Sequence, residues 1–61
     1  MDRKTKFLQV YANLPFSLRN EIIVVLNDET FTWNSARIEV ENDTSKGKEI
    51  LGKLERFGII K

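Results

Sequence analysis

The residues of this chain best suited to chemistry are cationic and aromatic. Lys46, Lys48, Lys53, Arg56 and Lys61 crowd the C-terminal end of the sequence, and ammonium and guanidinium groups at such density can engage phosphates. Glu49 and Glu55 stand among them, which gives the same residues a plainer reading as the solvated face of a helix. Trp33, flanked by Thr32 and Asn34 and close to Arg37, offers a flat ring of the kind that stacks on a base, a sugar or a partner's side chain. In so small a chain a lone Trp reads more simply as core. The candidate contact surface is thus Trp33, Arg37, Lys46, Lys48, Lys53 and Arg56.

Catalysis has few means here. The chain holds no Cys and no His, which excludes the usual Ser–His and Cys–His nucleophiles, thiolate zinc sites and disulfides. Glu39 and Glu41 lie two apart, on one face if the segment is a strand, as a pair of carboxylates for acid–base work would. Arg37 continues that face, and a solvated surface is the simpler account. Gly47, Gly52 and Gly58 match neither phosphate-cradling glycine pattern. Asn27-Asp28-Glu29 and Asn42-Asp43-Thr44 lack the spaced acids and Gly of a calcium loop and read as a turn and a helix cap. The sequence therefore reads as a non-enzyme with no cofactor, metal or small-molecule substrate.

Ten Lys or Arg against nine Asp or Glu leave a net charge of +1, so no overall field selects nucleic acid or an acidic membrane. An apolar fraction of 41% with four Phe supplies a core, which argues against disorder. At 61 residues one domain is expected over residues 1–61. A chain this short buries only about 60% of its unfolded surface and often gains from a partner. The longest apolar run, Ile22 to Leu26, falls far short of the ~20 residues a membrane-spanning helix needs. No apolar signal region follows the charged Met1–Lys6 stretch, so a cytoplasmic location away from membranes is expected.

The elements that must position the candidate surface follow from spacing. Phe7, Val10, Tyr11 and Leu14 recur at i, i+3, i+4 and i+7, which predicts a helix capped by Asp2 or Thr5 and ending near Asn13, ahead of Pro15. An alternation of Phe7-Gln9-Tyr11 against Leu8-Val10-Ala12 leaves strand as the rival reading. A short helical turn fits the residues after Pro15. The β-branched run Ile22–Leu26 predicts a strand, and Asn27–Thr30 a turn. Phe31–Trp33 resumes strand residues, and Ala36, Ile38 and Val40 alternate with polar ones as in a half-buried strand. The parity change between them predicts a bulge or tight turn at Asn34-Ser35. Ile50, Leu51, Leu54 and Phe57 mark a C-terminal helix capped within Asn42–Ser45, with Gly58 as its left-handed stop and Ile59 against Leu54. Gly47 shares the apolar face and either admits a sheet or another backbone closely or marks a frayed first turn, whereas Gly52 points the other way and weakens the helix. The sum is an α+β domain: an N-terminal helix, a small antiparallel sheet of about three strands and a C-terminal helix packed on it. Because Ile22–Leu26 is apolar on both faces, a lid from the N-terminal helix or a second copy of the chain is expected to cover it.

Two resemblances attach to these segments. Lys48 to Ile60 resembles the end of the recognition helix in winged-helix DNA-binding proteins, with its leucine, glutamate, glycine and isoleucine pattern before the wing. The segment departs from that family in that no helix-turn-helix precedes it in the right order, and the sequence stops where the wing should begin. Leu14-Pro15 to Leu18-Arg19, with Ile22 to Val25, Thr32-Trp33 and Gly58-Ile59-Ile60, looks like small uncharacterised archaeal α+β domains, which implies a fold and no function. The sequence is best read as a non-catalytic interaction module, for a protein partner or for self-association. The alternative is a nucleic-acid-binding module using the basic C-terminal helix and Trp33.

Overall fold

A computed structural model describes residues 2–60. The first helix, α1 (Arg3–Ala12), starts where the Asp2 carboxylate accepts the Thr5 amide at 2.8 Å. That hydrogen bond from the Thr5 backbone holds the Asp2 carboxyl below its ordinary range, since accepting a donor favours the ionised form. The helix ends at Asn13, before Pro15, as expected. Phe7 is buried, and Val10, Tyr11 and Leu14 pack partly buried against the core. A 3₁₀ turn (Phe16–Asn20) follows.

β1 (Ile22–Leu26) and β2 (Glu29–Thr32) form an antiparallel hairpin. Asn27 and Asp28 sit at φ of 49° and 70°, both left-handed, the two-residue type I′ connection whose twist matches the strands. Leu26 then faces Glu29 as the hydrogen-bonded pair beside the loop, and the Val25 carbonyl points away from β2 toward the free edge. There it accepts the Lys53 ammonium at 3.0 Å. Ile23 is an extra residue, because the register slips between Ile22 and Val24.

The third strand does not form, and the sheet among the described residues has two strands. Residues 33–40 lie instead in α2 (Trp33–Glu41). The alternation of Ala36, Ile38 and Val40 was compatible with both periods, and burial decides between them. Trp33, Ala36 and Val40, at i, i+3 and i+7, enter the core, while Ile38 stays 54% exposed. Asn34-Ser35 is not a bulge but the first turn of this helix. Ser35 N–H donates to the Thr32 hydroxyl at 3.1 Å and Thr32 N–H to the Ser35 hydroxyl at 2.9 Å, a reciprocal cap that satisfies two orphan amides.

α3 (Ser45–Arg56) buries Gly47, Ile50, Leu51 and Leu54. It packs chiefly on α2 and touches β1, so it does not lie across the sheet as expected. The N-terminal helix does not lid both faces of the strand. Val24 and Leu26 are buried, but Ile22 and Val25 remain 60% and 49% exposed, and α1 packs on α2 and α3. The core is one cluster in which the Phe7 and Trp33 rings lie 5.4 Å apart.

The C-terminal stop forms as read. Gly58 has φ of 76°, Gly58 N–H donates to the Glu55 carbonyl at 3.1 Å, and Ile59 N–H donates to the Leu54 carbonyl at 2.9 Å, the paired bonds of a Schellman motif. Ile60, rather than Ile59, is the buried apolar residue beyond it. No atom stands within 4 Å of a Cβ added at Gly58, so Gly58→Ala is expected to cost the backbone penalty alone, about 1 kcal/mol. An unchanged thermal midpoint for that variant would contradict the cap.

Candidate nucleic-acid interface

The cationic residues belong to two helices held in a fixed relation. α2 and α3 are joined by Asn42, Asp43 and Thr44, and Asp43 makes the bend with a left-handed φ of 53°. The Thr44 hydroxyl accepts Gly47 N–H at 2.9 Å, capping α3, and donates to the Glu39 carboxylate at 2.7 Å, tying that cap to α2. Thr44 N–H also donates to the Glu39 carbonyl at 3.2 Å. Gly47 sits where the helices approach most closely. A Cβ there would lie 2.5 Å from the Glu39 carbonyl oxygen and 3.1 Å from the Val40 Cα, so α2 backbone occupies the space a side chain would need. The sequence offered a close neighbour at Gly47 and left open what it was; the neighbour is α2.

α3 therefore turns Ile50, Leu51 and Leu54 inward and leaves two polar flanks. On the flank toward the hairpin the lysines are engaged. Lys46 pairs with the Glu29 carboxylate at 2.8 Å, and that hydrogen bond raises the ammonium's pKa above its ordinary value. Lys53 is bonded to the Val25 carbonyl. On the other flank, Lys48 and Arg56 are exposed and have no ion pair among the described residues.

The remaining two candidates lie elsewhere. Trp33 is 7% exposed and packed on Phe7, so its indole is a core group with no open stacking face. Arg37 pairs with Glu41 one turn along α2, and the hydrogen bond it donates to that carboxylate raises its pKa above the ordinary guanidinium value. Its guanidinium also lies 5.1 Å from the Tyr11 ring centroid. Beside it, Arg19 is held between the rings of Tyr11 and Phe16, at 4.3 and 4.8 Å, and donates to the Tyr11 carbonyl at 3.1 Å. Tyr11 in turn donates to Asn34 at 2.7 Å.

No protein family, curated protein or solved structure matches the chain. The geometry alone therefore carries the reading.

From the sequence, no helix-turn-helix stood in the right order ahead of the Lys48–Ile60 segment, and a strand was expected at residues 36–40. With α2 in place of that strand, two packed helices joined by a three-residue turn precede and include the segment, a connection of the length that helix-turn-helix units and αα-hairpins share. One cation on its surface was not singled out from the sequence. Arg3, at the start of α1, lies against α3: its Nη1 stands 3.4 Å from where a Cβ of Gly52 would be and 4.0 Å from the Glu55 carboxylate. The only available signal was the bare Gly52 itself, which says that a neighbour can approach without saying which.

Proposed function

We propose that this domain is a non-catalytic nucleic-acid-binding module of the helix-turn-helix kind, with α3 as the element presented to the partner. The observation that carries the reading is the α2–turn–α3 unit, closed at Gly47 and capped at Thr44. In such units the second helix projects from the body of the protein into a groove. The direct test is equilibrium binding of the full chain to a duplex oligonucleotide over a range of salt. Phosphate contacts release counterions, so the logarithm of affinity should fall linearly with the logarithm of salt. Binding that is absent at low salt, or indifferent to salt, would refute the reading.

A second reading, docking on a protein partner or on a second copy, is favoured by a specific observation. Phe16 is 83% exposed, and Ile22 and Val25 on the hairpin are exposed as well; where such side chains gather in one patch they mark an association surface. Sedimentation at high concentration tests the self-association form, which requires species heavier than the monomer.

A further inference from the structure

We infer that the polyanion-facing side of α3 is the flank shared with α1, where Lys48, Arg3 and Arg56 form one cationic row suited to the phosphate backbone of duplex DNA. The inference rests on the nucleic-acid reading above and deepens it. Residues 48, 52 and 56 are spaced at i, i+4 and i+8 and so follow one side of the helix over about 12 Å. Two of the three positions carry cations of their own, and the middle one is Gly52. Arg3 supplies the missing charge from α1, its guanidinium lying over that bare position within ordinary contact distance. The three positions are thus about 6 Å apart along the helix axis. Phosphates recur about every 3.4 Å of axis on each strand, so the row spans a few consecutive phosphates of one strand.

Charge partners separate this flank from its opposite. Lys46 and Lys53 are spent on Glu29 and on the Val25 carbonyl. Lys48 and Arg56 have no such partner among the described residues, and Arg3 is only loosely engaged, at 4.0 Å from Glu55. A cation already bonded within the fold has less to gain from a phosphate than one that is solvated and free to release the partner's counterions. Gly52 also acquires a role. Its lack of a side chain leaves the seat that Arg3 occupies, at the expense of helix propensity.

The test compares the salt dependence of binding to a duplex oligonucleotide for the full chain and for Arg3→Gln, Lys48→Gln, Arg56→Gln and Lys46→Gln. Each of the first three should lower the magnitude of the slope by about one and weaken binding evenly across sequences, whereas Lys46→Gln should leave the slope near that of the parent. Arg3→Lys should restore it, which a purely structural role for Arg3 would not predict. If the parent shows no salt-dependent binding, the helix-turn-helix reading fails and the row falls with it. If the parent binds but Arg3→Gln keeps the full slope, or Lys46→Gln loses as much as Lys48→Gln, the row is overturned while that reading stands. Equal affinity for the isolated single strand would overturn the assignment to duplex.

Discussion

Trp33→Ala is expected to leave the chain only marginally stable at room temperature. The indole is buried against Phe7 where α1 meets α2 and where β2 passes into α2. Truncating a buried aromatic to alanine typically costs about 3–5 kcal/mol, from lost transfer energy and from the cavity left behind. Total stabilities of about 5–15 kcal/mol are ordinary for domains, with small ones at the lower end. Far-ultraviolet circular dichroism through a denaturant titration checks this, and a variant with a midpoint near the parent's would show that the core does not depend on the ring. In the parent, Trp33 emission should be blue-shifted and poorly quenched by iodide. Red-shifted, freely quenched emission would instead return the indole to the surface.

Gly47→Ala should destabilise the fold by about 1–3 kcal/mol, the usual range for forcing an extra methyl into packed structure. Alanine normally gains about 1 kcal/mol over glycine inside a helix, so the loss must arise from the clash with α2. The clash is with backbone, 2.5 Å from the Glu39 carbonyl oxygen, and neither helix can relieve it by rotating a side chain. The variant should melt about 4–24 °C lower, given roughly 4–8 °C per kcal/mol for a domain of this size. Gly52→Ala, in the same helix, should do the opposite, because its methyl meets only the flexible end of Arg3 at 3.4 Å. Equal shifts in the two variants would mean that the close crossing of α2 and α3 does not exist.

The parts of the fold legible in the sequence are those written in local chemistry. The α1 cap at Asp2, the strand Ile22–Leu26, the helix carrying Ile50, Leu51 and Leu54, and the stop at Gly58 each follow from residues close in sequence to the feature they set. Residues 33–40 failed because two periods fit the same apolar positions, and only the neighbours decide which is used. Trp33, Ala36 and Val40 find α1 and α3 on one side, and Ile38 is left to solvent. The Thr32–Ser35 reciprocal cap was a signal for the helix, but its partner is a Ser rather than the Glu or Gln of the common capping box. For the contact surface, the sequence named the basic residues but not their flanks. Lys46 and Lys53 look no different from Lys48 until Glu29 and Val25 are brought beside them, and Arg3 joins the surface from 49 positions before Gly52.

The bond from Lys53 to the Val25 carbonyl has a consequence for self-assembly. Ile22–Leu26 is a short run of high β-propensity with no charge and no Pro, the composition that seeds cross-β stacking when its backbone is open. Its outer edge is a template on which an incoming strand would begin by hydrogen bonding to outward groups such as the Val25 carbonyl. An ammonium fixed on that carbonyl blocks the first bond and would bring a charge into any stack that formed. Lys53 thus covers an outward group of this edge, as charged side chains on edge strands do.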